Sequence, residues 1–168
     1  MSGLETDTIG GFNATLKAHK EADGQAVVST VLFDHETKSY MTECQLKTFP
    51  MTERDYQVRG CTALLDAVGG AIHRISTIHK YLPEDYKPEH TIFVITTDGL
   101  ENASVHYTYQ QVKHLITEKE EDGWDFLFLG ANIDAAAEAT KIGIPVARAA
   151  TFYRRYRRKQ NYVWCSLR

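Results

Sequence analysis

The sequence predicts an α/β fold: a doubly wound, mostly parallel sheet with one antiparallel edge hairpin strand and helices packed on its faces. Three observations lead there. Apolar residues recur at spacings of three and four in several stretches; short runs rich in β-branched and aromatic residues lie between them; and Asp-Gly or Gly closes those runs. At 168 residues the chain has room for one ordinary domain. The expected division is a domain over residues 1–152 and a basic, aromatic tail over residues 153–168.

Each element has its own warrant. From Thr8 to Lys20, Ile9, Phe12 and Leu16 form one apolar stripe of a helix, with Thr6 or Thr8 placed to cap it. Residues 25–33 and 39–46 have strand composition, and the polar stretch between them suits the turn of an antiparallel hairpin. Residues 62–82 carry Leu64, Leu65, Val68, Ile72, Ile75, Ile78 and Leu82 at helical period, and Pro83 stops the run. Residues 91–97, TIFVITT, are continuous enough to predict a strand buried on both faces and ended by Asp98-Gly99. Residues 109–120 then read as an amphipathic helix and 124–129 as a second buried strand ended by Gly130. Residues 133–141 read as an alanine-rich helix and 146–152 as an edge strand. A doubly wound sheet ordinarily starts with a strand, but this chain opens in a loop that runs straight into a helix, so the expected first central strand is missing.

Composition narrows the function classes. With 43% hydrophobic and 24% charged residues the chain has globular rather than disordered character. Its apolar runs fall far short of the ~20 residues that cross a bilayer. Glu5, Asp7, Glu21 and Asp23 near the start are unlike a secretory leader. Three cysteines without C-x-x-C spacing argue against a disulfide framework or a zinc knuckle, so a reducing, cytoplasmic setting is expected. All 22 acidic residues precede residue 151, whereas residues 151–168 hold six basic residues and no acid. An acidic body gives no support to general nucleic-acid binding; the tail is of a different kind.

Chemistry-bearing residues are few. An aspartate closing an apolar strand, as Asp98 does, is where a sheet presents a carboxylate to a metal or a phosphate-bound magnesium; the same residue equally suits the opening of a tight Asp-Gly turn. Thr62 has the position of a ligand before a helix and, more simply, of a helix cap. There is no G-x-x-x-x-G-K-[ST] loop, no G-x-G-x-x-G and no G-x-S-x-G elbow. His73 and His79 stand about 240° apart around a helix and cannot share a metal from one face. Cys61 reads as a buried small hydrophobe, and the acidic run Glu118, Glu120, Glu121, Asp122 as a solvated helix end.

The ordered series TDTIGGFN, RGCTALLDAVG, IFVITTDGLENAS and WDFLFLGANID resembles a bacterial cytoplasmic member of the von Willebrand factor A family over roughly residues 1–145. The resemblance implies a Rossmann-like fold with a metal-ion-dependent adhesion site at the carboxyl edge of the sheet. That site is built from a D-x-S-x-S motif after the first strand, a threonine before a helix and an aspartate after the fourth strand. Thr62 matches the threonine and Asp98 the aspartate, with Ser2 and Gly99 at the partner-binding rim. Such a site takes Mg or Mn, and the acidic side chain of a protein partner completes the octahedron. The D-x-S-x-S motif and the strand that carries it have no residues in this sequence, as in a copy truncated before its first strand, and Cys61 stands where a serine is usual. Metal binding is therefore expected to be weak or absent.

Three functions follow as expectations. The first is a non-enzymatic protein-binding module of this type. The second is nucleic-acid or acidic-partner contact through Arg154, Arg155, Arg157, Arg158 and Lys159, interleaved with Tyr153, Tyr156, Tyr162 and Trp164. The last is a magnesium-dependent phosphohydrolase using Asp98, for which no nucleophile, base or phosphate loop is in view.

Overall fold

The computed structural model describes residues 3–22, 26–34, 44–45, 50–56 and 60–153. In chain order these form α1 (Glu5–Glu21), β1 (Val27–Val28), β2 (Cys44–Gln45), α2 (Leu64–Tyr81), β3 (Thr91–Thr97), α3 (Tyr109–Glu121), β4 (Trp124–Ala131), α4 (Ala135–Lys141) and β5 (Ala149–Phe152). Single 3-10 turns occupy Glu84–Tyr86 and Val146–Arg148. No described helix is long and apolar enough to cross a membrane.

The main sheet has the order β3-β4-β5, with both pairings parallel. Thr91 lies beside Trp124, Phe93 beside Phe126, Ile95 beside Phe128 and Thr97 beside Gly130. Because side chains alternate along a strand, this register puts Phe93, Ile95, Phe126 and Phe128 on one face. Each strand lies on the same side of its predecessor, so two crossovers of the usual hand would deliver α3 and α4 to one face of the sheet. The core has that composition: Leu64, Leu65, Val68 and Ile72 of α2, Val112 and Ile116 of α3, and Ala135 and Ala139 of α4 close over Ile95, Trp124, Phe126 and Phe128.

The other face of β3 is open. Ile92 and Val94 are each 51% exposed, so the expectation of a strand buried on both faces does not hold. The apolar run reads the same whether one or two layers cover it; here α2, α3 and α4 all serve the opposite face. The hairpin expected at the edge of the main sheet forms instead a separate two-stranded sheet, β1 against β2, antiparallel with Val27 beside Gln45 and Val28 beside Cys44. Of the turn expected at residues 34–38, residues 35–38 lie outside the described residues, as do residues 39–43 and 46 of the expected second strand.

Helix ends follow local chemistry in part. Thr108 and Gln111 form a reciprocal capping box on α3, and the Asp134 side chain accepts from Ala137 N–H on α4. α1 starts earlier than expected, after Leu4, without a side-chain cap, so neither Thr6 nor Thr8 has the capping role. Its anchor is lateral: the Asn13 amide donates to Met51 O at 2.9 Å and accepts from Met51 N–H at 2.7 Å, tying the helix to the 50–56 segment. β4 runs through Gly130 to Ala131 rather than stopping there. A Cβ at Gly130 would stand 2.8 Å from the Ala135 side chain, and this close approach lets α4 fold back onto the strand that precedes it.

Candidate functional site

The carboxyl edge of the sheet is built around the start of α2. The first N–H groups of a helix have no partner within it and must find one elsewhere. In α2 the partners come from distant segments. Thr62 N–H donates to Asn102 Oδ1 at 2.9 Å, Ala63 N–H to Asp34 O at 2.9 Å, Leu65 N–H to Glu101 Oε2 at 2.9 Å and Asp66 N–H to Ser104 Oγ at 3.0 Å. Asn102 N–H returns a bond to Thr62 O at 3.1 Å. The expectation that Thr62 itself caps this helix is thus corrected. Ala63 occupies the cap position without a side-chain bond, and the loop after β3 supplies the acceptors.

The clamp is reciprocal. Asp66, only 7% exposed, accepts from the backbone N–H groups of Val105, His106 and Tyr107 at 2.8–2.9 Å. Burial alone would raise its pKa, but these three donors outweigh that cost and hold the carboxyl below its ordinary value. Glu101 is in the same position: burial pushes up, and the N–H groups of Leu65 and Ser104, the Ser104 hydroxyl and the Ala103 N–H pull further down. A helix carboxylate thereby holds the loop, and a loop carboxylate holds the helix. Tyr107 completes the join, its hydroxyl 3.0 Å from His73 Nδ1 and its ring against Gly69, where a Cβ would meet ring atoms at 2.5 Å.

Thr62 and the turn after β3 meet within this frame. Thr97 Oγ1 accepts from Gly99 N–H at 3.2 Å and donates to Gly99 O at 3.0 Å, bending the chain at Asp98. Gly99 then lies so close to Thr62 that a Cβ on it would stand 2.5 Å from Thr62 Oγ1. Thr62 and the Asp98-Gly99 turn therefore belong to one edge. Asp98 also has an interaction of its own within the chain. Ser2, the other expected rim residue, and Arg154, Arg155, Arg157, Arg158 and Lys159 of the tail lie outside the described residues. Cys61 is exposed, which corrects its reading as a buried hydrophobe: it precedes the helix on the loop side of the clamp and faces away from the core.

As a donor set for a hard cation the edge fits only in part. Thr62 brings one hydroxyl and Asp98 one carboxylate, whereas magnesium prefers near-ideal octahedral oxygen coordination. Asp66 and Glu101 are engaged with backbone N–H groups and are not spare ligands. Most of the coordination shell would have to come from water and from another molecule.

Sequence reasoning singled out Thr62 and Asp98 but missed Asp66, Glu101, Asn102 and Ser104. A signal existed in the stretch Glu101-Asn102-Ala103-Ser104, three capping-type side chains within four residues directly after a strand end. What it lacked was the address, because the helix they cap begins nearly 40 residues earlier. Comparisons with protein-family models, with curated proteins and with solved structures gave no match to this chain.

Proposed function

We propose that the chain is a protein-binding module of the von Willebrand factor A type, whose partner face is the carboxyl edge of the sheet around Thr62, Asp98 and Gly99. The observation that supports this reading is the seating of Gly99 against Thr62 Oγ1, held by the Thr62–Asn102 bonds. It brings the two expected ligand loops together although they are distant in sequence. Topology adds weight. β3, β4 and β5 advance in one direction, so any reversal of strand order would begin at the edge of β3 away from β4, and open α/β sheets bind ligands outside the carboxyl ends of strands at such a point. Asp98 follows the last residue of β3 there.

With two protein ligands, Mg or Mn would be held weakly by the chain alone and more firmly once a partner's acidic side chain joined the shell. Binding of the partner and of the metal would then be coupled, each raising the affinity for the other by the same factor. The reading is a binding module rather than an enzyme: it gives Asp98 the role of a ligand, and the nearby carboxylates of Asp66 and Glu101 are already engaged with backbone N–H groups.

The test uses Mn as a paramagnetic probe. Backbone amide resonances of Thr62, Gly99 and Asn102 are expected to broaden selectively when Mn is added, to recover on addition of excess Mg, and to be unaffected by Mn in Asp98→Ala. Broadening spread over the acidic surface, or unchanged in Asp98→Ala, would refute the metal role.

A further inference from the structure

At the opposite end of the sheet, where β3 and β4 begin, a cleft of about 410 Å³ is lined by Ser76, His79 and Lys80 of α2, Lys87 of the turn before β3, Lys119 and Asp122 at the end of α3, and Trp124 of β4. Its volume is within the range of small-molecule sites, ~300–1,000 Å³. Three lysines and a histidine line it against one aspartate. The Ser76 hydroxyl is buried and has no hydrogen-bond partner among the described residues, although a buried hydroxyl almost always has one.

We propose that this cleft is a binding site for a phosphate group, free or carried by a small phosphomonoester. Phosphate bears nearly two negative charges and several strong acceptor oxygens, which suits separate, rotatable ammonium donors; the Ser76 hydroxyl, buried as it stands, would join them by rotating its side chain toward the cleft. Among the described residues Lys80 has a cation–π contact, 5.9 Å from the Tyr81 ring centroid, and no ion pair. Lys87 pairs with Glu84 at 2.7 Å, and Lys119 with Asp122 at 2.7 Å and Glu118 at 2.9 Å. The Lys87–Glu84 pair is exposed on both sides, and pairs of this kind are weak and readily exchanged, whereas the Lys119 side chain, 14% exposed, keeps its two carboxylates and lends the cleft mainly its proximity.

His79 reports on the field in the cleft. It stands in edge contact with Trp124, 5.4 Å between centroids, and its pKa is held below the ordinary histidine value by burial and then by Lys119 and Lys87. The charged groups facing it are Lys80 on its own helix, Lys87 with Glu84 from the turn, and Lys119 with Glu118 and Asp122 from α3. A bound phosphate would offset the lysines and favour the imidazolium. The site is distinct from the Thr62–Asp98 edge and stands or falls separately from it.

The experiment is a titration of the whole chain, followed by NMR, with inorganic phosphate, with glycerol phosphate and with sodium chloride at matched ionic strength. Saturable shifts of the Ser76, His79 and Trp124 resonances, with the His79 pKa rising under phosphate but not under chloride, are expected. Tighter binding of the ester would identify a phosphomonoester ligand; equal or tighter binding of inorganic phosphate would identify the free anion. The Lys80→Gln, Lys87→Gln double variant should bind about tenfold more weakly, the effect of two screened ionic contacts. Asp122→Asn should bind more tightly. Ser76→Ala should lose affinity while unfolding at no lower denaturant concentration than the parent, since it discards a hydroxyl that the fold does not use. Non-saturable shifts matched by chloride, or affinity unchanged in the double lysine variant, would overturn the proposal.

Discussion

Glu101 should be among the most consequential surface-proximal carboxylates in the chain, and Glu101→Ala measures it. One oxygen accepts from Ala103 and Ser104 N–H, the other from Leu65 N–H and the Ser104 hydroxyl. On truncation, the N–H groups of half-buried Ala103 and Ser104 can turn to water, but Leu65 is only 4% exposed and its N–H at the helix start cannot do so easily. An orphaned buried donor costs ~1–3 kcal/mol and loss of a helix cap ~1 kcal/mol, so the total is about 2–4 kcal/mol. At a urea dependence of ~2 kcal/mol/M, the middle of the usual range, this lowers the unfolding midpoint by about 1–2 M, read by far-UV circular dichroism. Glu101→Gln should be nearly as damaging, because either amide orientation sets an NH2 against donors. A midpoint shift below about 0.3 M for Glu101→Ala would show that the loop, not the carboxylate, positions α2, and would refute the clamp.

Four further outcomes are expected. Asp66 and Glu101 both have pKa values depressed in the folded chain, so the stability they contribute is present above the unfolded values of ~4 and lost as pH falls through and below them. Urea midpoints should therefore fall steeply below about pH 4, and less steeply in the Asp66→Asn, Glu101→Gln double variant; identical slopes would remove these two groups from the acid response. Gly99→Ala should cost ~1–3 kcal/mol by driving a Cβ against Thr62 Oγ1, and Thr62→Ala in the same chain should relieve part of it; strict additivity in that cycle would deny the contact. Ile95→Ala should cost ~2–5 kcal/mol in urea unfolding and Val94→Ala less than about 1 kcal/mol, since only the first reaches the core; equal losses would mean that both faces of β3 are covered. Gly69→Ala should lower the thermal midpoint by displacing the Tyr107 ring, and a neutral result would place that ring elsewhere.

The sequence by itself determined the elements whose signal is local. Strand 91–97 has the bounds expected, because seven apolar and β-branched residues between a histidine and Asp-Gly leave no other period. The helices over 64–81 and 109–121 follow from apolar spacing, with Pro83 stopping the first. The coarse α/β class follows from their alternation. Thr62 and Asp98 were legible as an edge pair only through the order of four segments, and the fold brings their loops together.

What only the tertiary structure decided is everything that depends on a second segment being present. TIFVITT carries no mark of whether one helical layer or two will cover it, and the answer, half-exposed Ile92 and Val94, comes from α2, α3 and α4 sharing one face. Asp66 inside an apolar helix stretch looks like a misplaced charge until the backbone of residues 105–107 is brought to it from about 40 positions away. Ser76, His79, Lys80, Lys87, Lys119 and Asp122 are scattered polar residues in the sequence and become one cleft only because α2 and α3 end side by side at the start of β4. Periodicity records which side of an element is apolar; the partner that each polar group finds across the fold is set by packing, and here those partners define both the carboxyl edge and the opposite cleft.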